Sequence, residues 1–263
     1  MTGDLGVWLY AVTSSRDGTE QLSGLTGVAG EPVRTVAAGD LAAVVGSVPL
    51  EDFEEQPLAR HLEDLDWLET TARKHDAVVS AVVRQGPAIP LRLATVFRDS
   101  HAVRRLLEER RDDFGAALTL VTGRTEWGVK AYGDRTALTA AVAEAAAAGD
   151  AAVGTGTAYL ARRRAQLAAR DTVERDAADR AERIHSRLVQ HAAAGRRQAP
   201  TDPAVSGRRD WILLNGTYLV DDERSDEFAA TVTTLGAEFP GIRLERTGPW
   251  PPYSFAGVER EPR

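Results

Sequence analysis

The sequence predicts an α+β protein of two domains. Residues 1–149 read as an N-terminal, ferredoxin-like antiparallel sheet with helices. Residues 150–263 read as a long helix plus a small sheet closed by a proline-aromatic segment. Two observations carry this. Before residue 150, short apolar runs alternate with stretches whose apolar residues recur every three or four positions, in the order β-β-β-α-β-α-β. After it comes a charged stretch of helical pattern. Short strand-like runs follow and end in Gly248-Pro249-Trp250-Pro251-Pro252-Tyr253-Ser254-Phe255.

Each element of the first domain has a local reason. Leu5 to Val12 is a short apolar run with aromatics, the pattern of a strand. Val33–Ala38 and Leu41–Val48 flank Ala38-Gly39-Asp40 and read as a hairpin. From Pro57, the stripe Leu58, Leu62, Leu65, Ala72, His75, Val79 and Val82 predicts one long helix that stops before Gly86-Pro87. Ile89 to Phe97 reads as a strand opened by prolines. Asp99-Ser100 offers an N-cap to a helix that turns Val103, Leu107, Phe114 and Leu118 inward. Thr125 to Tyr132 returns as a strand, and Asp134 caps a helix through the alanine run to Gly149. Helices are expected mostly on one face of the sheet.

In the second domain a helix is predicted over 155–194, capped by Thr155 or Thr157. Leu160, Leu167, Ala181 and Leu188, with Ala177 and Ile184 between, make a thin coiled-coil-like seam that permits a dimer. Pairs such as Asp176/Arg180 at i,i+4 line its other faces. The helix is either packed along its own molecule or an arm that pairs with another protein. Residues 195–209 read as a mobile loop, and 210–256 as a small α+β sheet: strands at Trp211–Val220 and Ile242–Thr247 flank a helix at Ser225–Gly236. In the closing segment the prolines exclude helix and favour extended backbone, which sets Tyr253 and Phe255 on one face. Trp250, Pro251, Pro252, Tyr253 and Phe255 are therefore either an edge strand packing its rings inward or a docking surface for another protein.

Composition narrows the chemistry. A formal charge of −7 over 263 residues argues against general nucleic-acid binding. Zero cysteines exclude disulfides and thiolate metal sites, which suits a reducing cytoplasm. The first residues lack a basic n-region, and no run approaches the roughly 20 apolar residues that cross a bilayer, so no membrane partner is expected. His61 and His75 are four helical turns apart, about 21 Å, too far to share a metal. Gly154-Thr155-Gly156-Thr157 lacks the Gly-Lys-Ser/Thr ending of a phosphate loop and reads as a helix start. No catalytic residue, cofactor or metal is expected. The one alternative is a ligand-binding or enzymatic sheet domain using His75, Arg92 and Glu126 as base, cation and carboxylate.

Seven stretches together, in order, resemble the GvpL/GvpF family of gas vesicle proteins. They are Val7-Trp8-Leu9-Tyr10-Ala11-Val12, His75-Asp76-Ala77-Val78-Val79, Ile89-Pro90-Leu91-Arg92-Leu93-Ala94-Thr95-Val96-Phe97, Glu126-Trp127-Gly128-Val129-Lys130, Gly154-Thr155-Gly156-Thr157-Ala158-Tyr159-Leu160, Asn215-Gly216-Thr217-Tyr218-Leu219-Val220 and the proline-aromatic phrase. Two departures are visible: the family often has Arg-Phe-Gly-Thr where this chain has Arg92-Leu93-Ala94-Thr95, and His-Glu where it has His75-Asp76. The resemblance implies a similar fold and a cytoplasmic accessory or minor structural protein of the gas vesicle. Such a protein would bind the hydrophobic shell protein or other accessory proteins during nucleation and growth. Self-association is compatible with it, and it implies no enzyme.

Overall fold

The computed structural model describes residues 4–15, 22, 24–53, 55–139, 158–198 and 211–257, with backbone alone at 55, 59, 62 and 158–171. The Thr155/Thr157 cap, the alanine run to Gly149 and loop residues 199–209 lie outside these residues. The chain forms two compact units, one of residues 1–125 with 251–263 and one of 126–250. The expected boundary at 149/150 falls inside the second unit, because the strand Arg124–Gly133 pairs, from Glu126 onward, with one that ends at Trp250.

In the first unit, β1 (Leu5–Ser14) is the central strand. It pairs antiparallel with β3 (Leu41–Pro49) on one side and with the short β4 (Ala88–Pro90) and β5 (Val96–Phe97) on the other. β2 (Arg34–Ala38) forms the outer edge and hairpins to β3 through Gly39 at φ 61°. A bulge at Tyr10 breaks the β1–β3 register. It sets Tyr10 and Ala11 on one face, with Trp8, while Val7, Leu9 and Val12 take the other.

Both faces are covered. Val78, Val79 and Val82 of α2 (Leu65–Val83) pack on the Trp8 side. Val103 and Leu107 of α3 (Ser100–Glu109), with Phe114, Ala117 and Leu118 of α4 (Arg111–Val121), pack on the Leu9 side. This corrects the expectation of helices mostly on one face. An unbroken apolar run such as Val7–Val12 belongs to a strand buried on both sides.

Capping divides what periodicity alone joins. The helix expected from Pro57 is two, α1 (Glu55–Glu63) and α2, because Asp64 Oδ1 accepts from the backbone N–H of Asp66 and Trp67 at 3.1 and 3.2 Å. The strand expected over Ile89–Phe97 is likewise interrupted. Thr95 Oγ1 donates to Arg92 O at 2.7 Å, and Ala94 takes a left-handed φ of 62°.

The second unit runs β6 (Arg124–Gly133), a helical turn over 135–139 capped by Asp134, α5 (Ala158–Val189), β7 (Ala194–Arg197), β8 (Trp211–Asp221), α6 (Ser225–Glu238) and β9 (Ile242–Trp250). Its strand order is β7-β8-β6-β9. A β-α-β-β-α-β chain in this order is the ferredoxin-like connectivity. The α+β class with two sheets stands as expected, and that connectivity belongs to the second unit. Among the described residues, the first unit has no α-helix between its first two strands. Ala181, Ile184 and Leu188 of α5 share a core with Phe228, Val232 and Leu235 of α6, while Val173 and Ala177 pack with Leu138. The described part of the seam is thus spent within the unit, not on a free arm. β7 also occupies the start of the expected loop, since Ala194–Arg197 pairs with Gly216–Leu219.

Ala94 sits where the resembled family often has glycine. A Cβ in the left-handed region costs about 1–2 kcal/mol, partly offset by the greater unfolded-state freedom of glycine. Ala94→Gly is expected to raise stability, by up to about 1 kcal/mol in a urea titration.

Candidate functional site

The sequence singles out two candidates: His75 with Arg92 and Glu126, and the proline-aromatic segment. His75 is buried on the α2 face that covers β1. Trp8 Nε1 donates to His75 Nδ1 at 3.0 Å, and His75 Nε2 lies 3.0 Å from Leu91 O. The indole N–H only donates and the carbonyl only accepts, so the proton sits on Nε2 of a neutral ring. Burial lowers the His75 pKa, against the opposing effects of the Leu91 carbonyl and the Asp76 charge. Both ring nitrogens are therefore committed to holding strand, helix and the Leu91 segment together. Arg92 is exposed in the first unit, and Glu126 is a buried residue at the start of the second. The three residues do not belong to one sheet domain, as the alternative reading required.

Next to His75 is a polar cluster that the sequence reading missed. The Tyr10 ring lies 5.4 Å from the His75 ring. Its hydroxyl donates to Glu31 Oε1 at 2.7 Å and accepts from Val28 N at 2.9 Å. Glu31 Oε2 in turn accepts from Ala29 N at 2.8 Å. Burial, and then the bond to Glu31, raise the Tyr10 pKa. Gly27 and Gly46 leave the room for this arrangement: a Cβ on either would overlap the Glu31 carboxylate. The available signal was Gly46 inside a strand pattern, a mark of close approach.

The proline-aromatic segment divides its rings. Trp250 ends β9 opposite Glu126, is 49 % exposed, and donates from Nε1 to Thr247 Oγ1 at 3.3 Å. Pro251 and Pro252 are buried. Tyr253 is 37 % exposed, while Phe255 is 1 % exposed in the core of the first unit. Burial, with a smaller effect from Asp76, raises the Tyr253 pKa. The expected extended strand carrying Tyr253 and Phe255 on one face is not formed. Residues Tyr253–Phe255 make a 3-10 turn in which Tyr253 N donates to Pro251 O and Phe255 N to Pro252 O. The turn sends one ring outward and the other inward. Among the described residues no group of three His, Asp or Glu could hold a metal ion, and no helix is long and apolar enough to cross a membrane.

Two stability predictions follow from this geometry. The unfolded His75 has a pKa near 6.5 and the folded one lower. Between those values the unfolded chain binds the extra proton, so this group's stabilisation is complete above about pH 6.5 and declines as pH falls towards the folded pKa. His185, also lowered by burial, adds in the same direction. His75→Gln keeps an acceptor and a donor without the titration. It should fold at neutral pH with a loss of about 1–3 kcal/mol, and its denaturation midpoint should vary less than wild type between neutral and mildly acid pH. Gly46→Ala should expel the Glu31 carboxylate and cost about 1–3 kcal/mol. It should be non-additive with Glu31→Ala in a double-mutant cycle, because both remove the same hydrogen bonds.

The chain matches the profile of the family described as "Gas vesicle synthesis protein GvpL/GvpF" over residues 6–257. Among curated proteins it is 46 % identical to gas vesicle protein L of Streptomyces sp. (strain CB03234) over 261 residues, covering 99 % of this chain and 96 % of the relative. It is 26 % identical to gas vesicle protein F of the same organism, over 95 % of this chain and 99 % of that one. Among solved structures, GvpF from Anabaena sp. PCC7120 has the same fold, with a TM-score of 0.69 at 16 % identity, covering 98 % of this chain and 99 % of that one. GvpF from Microcystis aeruginosa aligns with a TM-score of 0.64 at 19 % identity over 95 % and 98 %. With the profile and the 46 % identical relative both spanning nearly its whole length, the chain belongs to the GvpL/GvpF family of gas vesicle proteins.

Proposed function

We propose that this chain is an accessory or minor structural protein of the gas vesicle that binds the hydrophobic shell protein, or other accessory proteins, and supports nucleation and growth. Family membership over residues 6–257 is the observation that carries the reading. The physical features agree with it. A shell protein with extensive apolar surface would aggregate in water, and an acidic chain of formal charge −7 helps to keep a complex dissolved. Trp250 and Tyr253 offer large aromatic area next to buried prolines that fix the backbone, the kind of rigid anchor interfaces favour. Phe255, Pro251 and Pro252 would act from below by holding that backbone, since all three are buried.

The enzymatic alternative has no specific observation in its favour. His75 is engaged through both ring nitrogens. Conservative replacement of His75 should therefore alter vesicle formation only as far as it alters stability.

Co-expression with a gas vesicle shell protein, followed by pull-down and measurement of soluble shell protein, tests the proposal. A stoichiometric complex is expected. Trp250→Ala and Tyr253→Ala should each weaken it at least tenfold, about 1.4 kcal/mol, with circular dichroism unchanged. Absence of any complex with shell or accessory proteins would overturn the reading.

A further inference from the structure

Among the described residues β9 ends the strand order of the second unit, with β6 on one side and no described strand on the other. Such an edge offers a row of backbone N–H and C=O groups to any chain of matching register. Its side chains determine which chain matches. Arg243 and Glu245 lie two apart and therefore on one face, with Arg243 Nη1 3.2 Å from Glu245 Oε2 and the two side chains 58 and 39 % exposed. The Arg243 guanidinium also lies over the ring of Tyr132 on β6, 4.3 Å from its centroid.

In an antiparallel ladder alternate residues turn their N–H and C=O to opposite sides. Two copies of one edge can then meet only in registers that oppose residues of equal parity. A register centred on Arg243 sets the two arginines opposite each other, and one centred on Glu245 does the same with the two glutamates. The register centred on Leu244 is different. It sets Arg243 opposite the partner's Glu245 and Glu245 opposite the partner's Arg243, extending each in-strand ion pair into a ring of four charges. The overlap is then 242–246. Pro249, which has no N–H to give, lies beyond it, and Gly241 at φ 81° precedes it.

The geometry points to a second copy of this chain as the occupant of the β9 edge, paired antiparallel about Leu244 in a two-fold symmetric dimer. An isologous contact of this kind needs a self-complementary patch, which the Arg243–Glu245 spacing supplies. Directly opposed charges stabilise a strand pair and like charges destabilise it, so self-association depends on these two residues and weakens with salt. The inference is independent of the aromatic contact with the shell protein, and it places self-association on a strand edge, whereas the helical seam of α5 is buried inside the unit over its described length.

Sedimentation equilibrium of the full chain across a wide concentration range tests it. Wild type is expected to dimerise. Arg243→Glu and Glu245→Arg, each folded by circular dichroism, should dimerise at least tenfold more weakly, because each opposes like charges. An equimolar mixture of the two variants should recover a dimer, since every opposed pair is again of opposite sign. Concentration-dependent hydrogen-exchange protection of amides within 242–246 of the wild type is a check that requires no variant. A wild type that stays monomeric, single variants that associate as it does, or a mixture that gains nothing would each overturn the proposal.

Discussion

The first unit depends on the double burial of β1. Trp8 to Val12 are inaccessible to solvent, so every polar group the strand carries must find a partner inside the protein. The backbone is satisfied by β3 on one side and by β4, β5 and the Thr95 and Leu91 segments on the other. Two side chains bring extra polar groups. The Trp8 indole N–H goes to His75 and the Tyr10 hydroxyl to Glu31, and each bond recruits another part of the chain. Through His75 the strand holds α2 and Leu91; through Glu31 and Val28 it holds the 24–33 segment. Satisfying the strand and assembling the unit are one process. This explains why a titratable histidine and a carboxylate sit beside the core.

The second unit is inserted into the first in sequence, and its chain ends are constrained by pairing. Glu126 and Trp250, its first and last residues, face each other across β6 and β9. The chain then needs an abrupt change after Trp250, and Pro251-Pro252 supplies it: two fixed φ angles and two missing donors end the ladder. The following turn returns Phe255 and Ala256 to the core of the first unit. The proline-aromatic phrase therefore has a structural task first, ending β9 and burying Phe255. Exposed Trp250 and Tyr253 are what remains available for a partner.

Much of this was legible in the residues, within definite limits. Strand and helix positions followed from periodicity, and the caps at Asp99 and Asp134 from local side-chain chemistry. Asp64 was missed because one apolar stripe runs through it, and a cap in the middle of a stripe is visible only through its hydrogen bonds. The unit boundary was missed because composition changes near residue 150, whereas the sheets are divided by β6 pairing with a strand more than a hundred residues later. The inward histidine was read correctly as a core residue. Its partner Trp8 and the Tyr10–Glu31 bond are long-range contacts with no spacing signature. The closing segment was read as extended because prolines exclude helix. They also permit a 3-10 turn just after them, and burial of Phe255 selects it.

Burial also orders the functional readings. The strongest clusters of polar residues in the first unit are consumed by hydrogen bonds that build it, so a role for the chain in vesicle formation has to be sought on its outside. There the two available features differ in kind. Trp250 and Tyr253 present aromatic area that suits an apolar partner, and their contact would be lost by truncating a ring. The β9 edge presents backbone groups and paired charges, and its contact would be lost by reversing a sign. The proposed shell-protein contact and the proposed dimer contact can operate together only if they are separable. In this chain they rest on different residues and on different physical interactions.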